Sequence, residues 1–314
     1  MAITSQQKGK VVKSTRKIYL VNLAGKTVSC TVRGKLTGAP KGGSMSVKVG
    51  DDVWVQMVTE NEGVIEKILP RHSKLSRAVE GKAYREHIIA VNIDQILIIM
   101  STHEPEFKSG LLDRYLIIAE KNQLNAVICI NKIDLAEQDE FEQFAKWYPD
   151  LGYPLFFTSA ITGQGLEKFK AALKNKVSVL VGHSGVGKSS LIKKVEPHLD
   201  LKVEGISGKT GKGMHTTTFV QLFPLSIGGY VIDTPGVREL GLWNIYRDEL
   251  KNYFVEFNSC DSECRFNDCK HLKEPGCAVK NAVDNGKIFE ERYLNYKNIY
   301  NGLRAASHEL IKYR

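Results

Sequence analysis

The first fifty residues of this 314-residue chain contain no aspartate and no glutamate. Against that absence stand ten cations: Lys8, Lys10, Lys13, Arg16, Lys17, Lys26, Arg33, Lys35, Lys41 and Lys48. The formal net charge of +9 is therefore concentrated near the amino terminus, because acidic and basic side chains nearly cancel over the last seventy residues. A local field of one sign points to a polyanionic partner, and nucleic acid is the expected one. Aromatics are sparse in the same region, essentially Tyr19 and Trp54, so phosphate contacts rather than base stacking are expected there. Long hydrophobic runs are missing as well. The strongest, from Ile93 to Met100, contains Asp94 and Gln95 and falls far short of the roughly 20 residues of a membrane-spanning helix. The opening MAITSQQKGKVVKSTRK is polar and basic with no apolar stretch, so it is expected to be neither a secretory leader nor a membrane anchor, and a soluble, cytoplasmic protein is expected. Cysteine is scarce. Four of the six cysteines fall between Cys260 and Cys277, beside His271, whereas Cys30 and Cys129 stand alone in strand-like runs. That clustering argues for a metal site in a reducing compartment and against a disulfide framework.

What is present divides into regions. Residues 1–70 alternate short β-branched runs with glycine-containing turns, which predicts a small β-barrel of the OB-fold type. Residues 71–87 are charged and without apolar period, and read as a linker. Residues 88–243 alternate strands and helices, the pattern of an α/β domain with a mainly parallel sheet. Residues 244–314 become helical around the Cys/His cluster, and the aromatics of the final helix are expected to pack rather than bind.

The chemistry lies in loops that follow predicted strands. VSVLVGHSGVGKSS carries GxxxxGKS from Gly182 to Ser189 between an apolar strand and a helix, the context a phosphate-binding loop requires. Amides of Gly182, His183, Ser184, Gly185, Val186, Gly187, Lys188, Ser189 and Ser190 would surround the phosphates, with His183 and Ser184 open to reading as loop filler. Lys188 would add a point charge at the β and γ phosphates, and the Ser189 hydroxyl would ligate magnesium. Such a loop alone does not choose a base. Asn131-Lys132-Ile133-Asp134 does: the Asp134 carboxylate can accept from both N1–H and the exocyclic amine of guanine, a pair adenine does not offer. Asn131 would brace the phosphate loop and Lys132 would cover the base. Ser159 and Ala160 follow the strand PLFF, where a backbone N–H would meet guanine O6. In Asp233-Thr234-Pro235-Gly236, Asp233 sits where a carboxylate behind the magnesium belongs, and the Gly236 N–H can meet the γ-phosphate. Among Thr216, Thr217 and Thr218, Thr217 is favoured to complete the magnesium shell.

These motifs occur in permuted order. In ordinary small GTPases the phosphate loop precedes NKxD; here NKxD comes first and DTPG last. All the loops can still lie along one edge of the same sheet, so only the chain connections differ. The fold class expected is therefore α/β: a circularly permuted P-loop GTPase domain between the barrel and a helical metal-binding region.

With LPRHSKLSR, NKIDL, GHSGVGKSSL, GKGMHTTT, DTPGVREL and CRFNDCKHLKEPGCAV in view, the chain resembles the RsgA (YjeQ, EngC) circularly permuted GTPases over essentially its whole length. The resemblance implies a GTPase acting in late maturation of the small ribosomal subunit, with low intrinsic turnover that the subunit stimulates. It also bears on the metal. Cys264, Cys269, His271 and Cys277 form the soft tetrahedral set that structural zinc prefers, but Cys260 is a fifth donor for four positions. Spacing does not exclude Cys260; the resemblance selects the other four.

Val237, after DTPG, cannot orient the attacking water. His215, beside the switch threonines, is the nearest group able to do so; its alternative role is a loop histidine that contacts the ribosome. Two functions remain open from the sequence. One is an enzyme whose hydrolysis of GTP to GDP times its release from the subunit and its rRNA; the other is an RNA-binding assembly factor using GTP as a structural ligand. A monomer is expected.

Overall fold

The computed structural model describes residues 6–15, 17–37, 46–79, 82–199, 220–233 and 245–303. The basic segment at the amino terminus supplies β1 (Gln6–Ser14), followed by β2 (Tyr19–Leu23), β3 (Lys26–Thr37), β4 (Asp52–Met57) and β5 (Glu62–Ile68). These five strands run in the order β1-β2-β3-β5-β4 and close through a β1–β4 pairing, so the small barrel expected from the sequence has five strands, β1 being the one its pattern did not indicate. Val11, Val21, Val28, Cys30, Val53, Val55 and Ile65 fill it. The composition of residues 6–14 does not announce a strand. Gly9 and Val11 are buried, Val11 in the barrel core, while Val12 packs into the α/β core; Lys8 is exposed and Lys10 and Lys13 are half-buried, Lys10 meeting Asp52 at 2.9 Å.

Residues 71–87, expected as a linker, carry structure of their own. β6 (Lys74–Val79) and β7 (Lys82–Val91) pair as an antiparallel hairpin. Its charged tip hides the alternation, while Leu75 and the stretch from Ile89 to Val91 are buried at its base. Arg71 ties the approach to this hairpin onto the barrel through two bonds to the buried Asp51 carboxylate, at 2.7 and 2.8 Å.

The α/β region contains β8 (Gln95–Ser101), α1 (Ser109–Lys121), β9 (Asn125–Asn131), α2 (Glu142–Asp150), β10 (Leu155–Phe157), α3 (Leu166–Leu173), β11 (Val177–Val181), α4 (Lys188–Val195), β12 (Gln221–Pro224) and β13 (Tyr230–Asp233). The strand order β10-β9-β8-β11-β13-β12 is parallel except for β12, which runs antiparallel to β13. Every residue of β8 is buried, as a central strand covered on both faces requires. Period-2 alternation sorts its side chains: Ile96, Ile98 and Met100 join Leu112, Leu116 and Tyr148 of α1 and α2, while Leu97 and Ile99 join Phe169 and Leu191 of α3 and α4. β12 then pairs with β1 at Gln221 and Lys13, so barrel and α/β sheet are continuous.

The carboxyl-terminal region has 3-10 turns between Arg247 and Glu263, then α5 (Ala278–Asp284) and α6 (Glu290–Gly302). Ile288, Tyr293, Tyr296, Ile299 and Tyr300 are buried against Phe254 and Phe257, so the aromatics pack as expected. Ile117 of α1 belongs to the same core. At this junction Arg292, 1% exposed, lies 2.6 Å from Asp113 of α1 and donates to both oxygens of Glu256. Asn295 and Tyr148 also bond the Asp113 carboxylate, at 2.7 and 3.1 Å. Burial pushes the Asp113 carboxyl up, against the pull of Arg292.

Candidate nucleotide edge and metal cluster

The expected site loops leave the carboxyl ends of β9, β10 and β11, and Asp233 closes β13 at the same edge, where open α/β sheets bind ligands. The glycine loop runs from the end of β11 into α4. Two of its glycines have geometry no side chain would tolerate. Gly182 adopts φ 145°, and a Cβ there would lie 2.0 Å from the Ile99 carbonyl oxygen; Gly187 adopts φ 94°, and a Cβ there would lie 2.3 Å from Asn131 Nδ2. The glycines thus let one loop pack against β8 and the other motif touch its backbone. Lys188 Nζ donates to the carbonyls of Gly182 and His183, at 2.7 and 2.8 Å, so the cation is held within the turn. No acidic residue occupies the first turn of α4, and Lys193 and Lys194 lie in its last, an arrangement that leaves its amino end favourable to an anion. Val186 is buried, Gly187, Lys188 and Ser189 are half-buried, and His183, Ser184, Gly185 and Ser190 are exposed.

Asn131, fully buried at the end of β9, connects two of the motifs. Its Nδ2 donates to the Val186 carbonyl at 2.8 Å, and its Oδ1 accepts from the Thr158 hydroxyl at 3.1 Å. Cys129 Sγ stands 3.2 Å behind that hydroxyl. Thr158 fixes which way the Asn131 amide points, yet the tripeptide context Thr158-Ser159-Ala160 offers no sign of it; only the adjacency of β9 and β10 does. Lys132 holds a left-handed backbone, φ 62°, before the single 3-10 turn that carries the exposed Asp134. Ser159 is buried, and its Oγ accepts from the amides of Ile161 and Thr162 at 3.2 and 3.0 Å, while Ala160 is half-buried behind it. The structure therefore brings Asn131, Thr158 and the glycine loop into one bonded edge. Asp233 ends β13 beside β11. His215, Thr217 and Gly236 lie outside the described residues.

The cysteine cluster is local. Cys264, Cys269, His271 and Cys277 present donor atoms all within 4.8 Å of one another, close enough for one tetrahedral ion; Cys260, although buried, is not among them. His271 Nδ1 faces the sulfurs, 3.4 Å from Cys277 and 3.7 Å from Cys264. Its Nε2 has the Asp261 carboxylate 3.0 Å away, though not aligned as a hydrogen bond. A carboxylate behind a ligating imidazole is the arrangement that orients such rings. Burial pushes the Cys269 thiol up to about 12 and also raises Cys277, while burial lowers His271. Tyr293 and Tyr296 hold the intervening chain by donating to the carbonyls of His271 and Lys270, at 2.8 and 2.7 Å.

Comparisons with known proteins agree with this geometry. The model of the RsgA GTPase matches residues 68–243, and that of the RsgA N-terminal domain matches residues 8–65. The small ribosomal subunit biogenesis GTPase RsgA of Caldanaerobacter subterraneus is 41% identical over 288 residues, covering 92% of each chain. That of Gemmatimonas aurantiaca is 39% identical over 308 residues, covering 97% of this chain and all of the other. The crystal structure of YjeQ from Thermotoga maritima superposes with a TM-score of 0.77 at 36% identity, covering 95% of this chain and 99% of that one. YloQ, a circularly permuted GTPase, gives 0.74 at 31% identity and 95% coverage of both chains. The fold is thus a circularly permuted GTPase domain between a barrel and a helical region bearing a Cys/His cluster, and the chain belongs to the RsgA GTPase family.

Proposed function

We propose that the protein binds the maturing small ribosomal subunit and hydrolyses GTP to GDP and phosphate there, and that hydrolysis times its release. The observation that supports this reading most is the bond from Asn131 Nδ2 to the Val186 carbonyl. It couples a motif suited to guanine with a loop suited to phosphates, although the two are 55 residues apart in the chain.

In this reading Asp134 reads the guanine edge, Lys132 covers the base, and a backbone amide of Ser159 or Ala160 meets its O6. The amides from Gly182 to Ser190 and the Lys188 ammonium hold the phosphates. Magnesium, held by the hydroxyls of Ser189 and Thr217 with Asp233 behind it, would neutralise charge on the β and γ oxygens. Gly236 binds the γ-phosphate, and His215 orients the attacking water in place of the glutamine that Val237 replaces. His215→Ala should lower subunit-stimulated turnover with little change in GTP affinity; unchanged turnover would remove His215 from the mechanism. Zinc bound by Cys264, Cys269, His271 and Cys277 would crosslink the carboxyl-terminal region and take no part in hydrolysis, because its shell is closed.

The regions divide the work: residues 1–70 contact rRNA phosphates, residues 88–243 bind and hydrolyse nucleotide, and residues 244–314 form a zinc-binding helical region. The protein acts as a cytoplasmic monomer. GTP turnover measured with and without purified small subunits tests the proposal, together with subunit binding in GDP, GTP and a non-hydrolysable analogue. Stimulated turnover and nucleotide-dependent binding are expected; equal binding in all three states would favour GTP as a structural ligand instead.

A further inference from the structure

We propose that Thr102 is a positioning residue for guanine recognition, acting through Lys132, and that the loop at residues 101–108 is the wall on which the Asn131–Asp134 motif is built. This rests on the GTP reading of the edge but assigns a role to a segment outside all the nucleotide motifs.

The loop begins where β8 ends, and Ser101 lies in register with Asn131 of β9. Thr102 is 2% exposed and uses both its polar donors on the neighbouring motif. Its amide donates to the Asn131 carbonyl at 3.0 Å, and its hydroxyl donates to the Lys132 carbonyl at 2.6 Å. Lys132 returns the contact by donating from Nζ to the Glu104 carbonyl. The wall is itself closed: Ser101 Oγ donates to the Pro105 carbonyl at 2.6 Å, and the Phe107 amide donates to the Thr102 carbonyl at 3.0 Å. Phe107 is anchored edge-on between Phe141 and Phe144, with centroids 5.1 and 4.8 Å away. On its other side Pro105 Cδ lies 3.4 Å from where a Cβ of Gly185 would be, so the wall also reaches the glycine loop.

The physical need for such a wall is the backbone of Lys132. A left-handed lysine is unfavourable by itself and persists where surrounding bonds over-determine it. With its carbonyl pinned by the Thr102 hydroxyl, the next peptide, and hence the turn presenting Asp134, has one orientation. Thr102 touches neither base nor phosphate. Its effect should fall on affinity for the guanosine half, equally for GDP and GTP.

The test uses the full chain as Thr102→Val and Thr102→Ser. Loss of one hydrogen bond of ordinary strength predicts that Thr102→Val weakens GDP and GTP binding alike, by about fivefold, and raises KM more than it lowers kcat. Thr102→Ser keeps the hydroxyl and should retain wild-type affinity. Thermal unfolding of the nucleotide-free variants shows whether the fold is intact. Unchanged affinity in a folded Thr102→Val protein would overturn the proposal, as would an equal loss in Thr102→Ser, which would assign the effect to the methyl group. Wild-type protein that took up ATP as well as GTP would instead defeat the guanine reading itself, so the two failures are separable.

Discussion

Two polar centres join distant segments of this molecule, and they treat charge in opposite ways. At the nucleotide edge, Asn131, Thr158 and the Val186 carbonyl are bonded through neutral groups, and the charged Asp134 is left exposed. At the junction between α1 and α6, a guanidinium and two carboxylates are buried together, where Arg292 meets Asp113 and Glu256. The first arrangement fixes backbone direction and keeps its charge available to a ligand. The second consumes its charge internally, so it can specify how two regions dock but cannot recognise anything from outside. A buried charged group is therefore evidence of function only where its partners leave it something to do.

The largest effect is expected from the metal cluster beside the junction, since structural zinc in small peptides contributes about 10–16 kcal/mol. Chelation should release one ion per chain and expose Cys264, Cys269 and Cys277 to thiol reagents, while the barrel keeps its hydrogen-exchange protection. Uniform loss of protection would mean that the cluster is not a local unit. Next is Arg292→Ala, which strands two buried carboxyl groups and should cost about 3–5 kcal/mol in urea unfolding. If the two centres are independent, the nucleotide affinity of the folded fraction stays within about twofold. An affinity loss as large as the stability loss would show that the junction shapes the nucleotide edge. The smallest effect belongs to Thr158→Val, which removes the hydrogen bond that orients the Asn131 amide. About fivefold weaker nucleotide binding is expected, with stability changed by about 1 kcal/mol. Titration of GDP into the variant measures it, and wild-type affinity would mean the Asn131 amide is fixed by Val186 alone.

Much of the nucleotide edge and the segment that carries the metal ligands were legible in the sequence, and the junction was not. Gly182, Gly187 and Lys188 are readable because a turn that encloses phosphate needs those residue types at fixed spacing. The metal segment is readable because its donors are neighbours in the chain, but spacing left Cys260 as a fifth candidate that the family resemblance set aside and the packing keeps out of the cluster. Thr102, Thr158 and Arg292 act across 30, 27 and 179 residues, respectively. Nothing local distinguishes that threonine or arginine from a surface one; the strand order does. β1 and the hairpin of β6 and β7 were hidden for a different reason. Their sequences set a few apolar residues among many lysines and arginines, so charge masks the period-2 signal that a half-buried strand normally shows.

Whether the Asp134 carboxylate selects guanine, at an edge whose loops also hold phosphate, is decided by competition between GTP and ATP for the purified protein, repeated with Asp134→Asn. GTP should exclude ATP from the wild-type protein, and the substitution should weaken GTP by about 10- to 150-fold, the worth of a charge-assisted hydrogen bond. Equal uptake of ATP and GTP, or an unchanged preference after the substitution, would contradict the account.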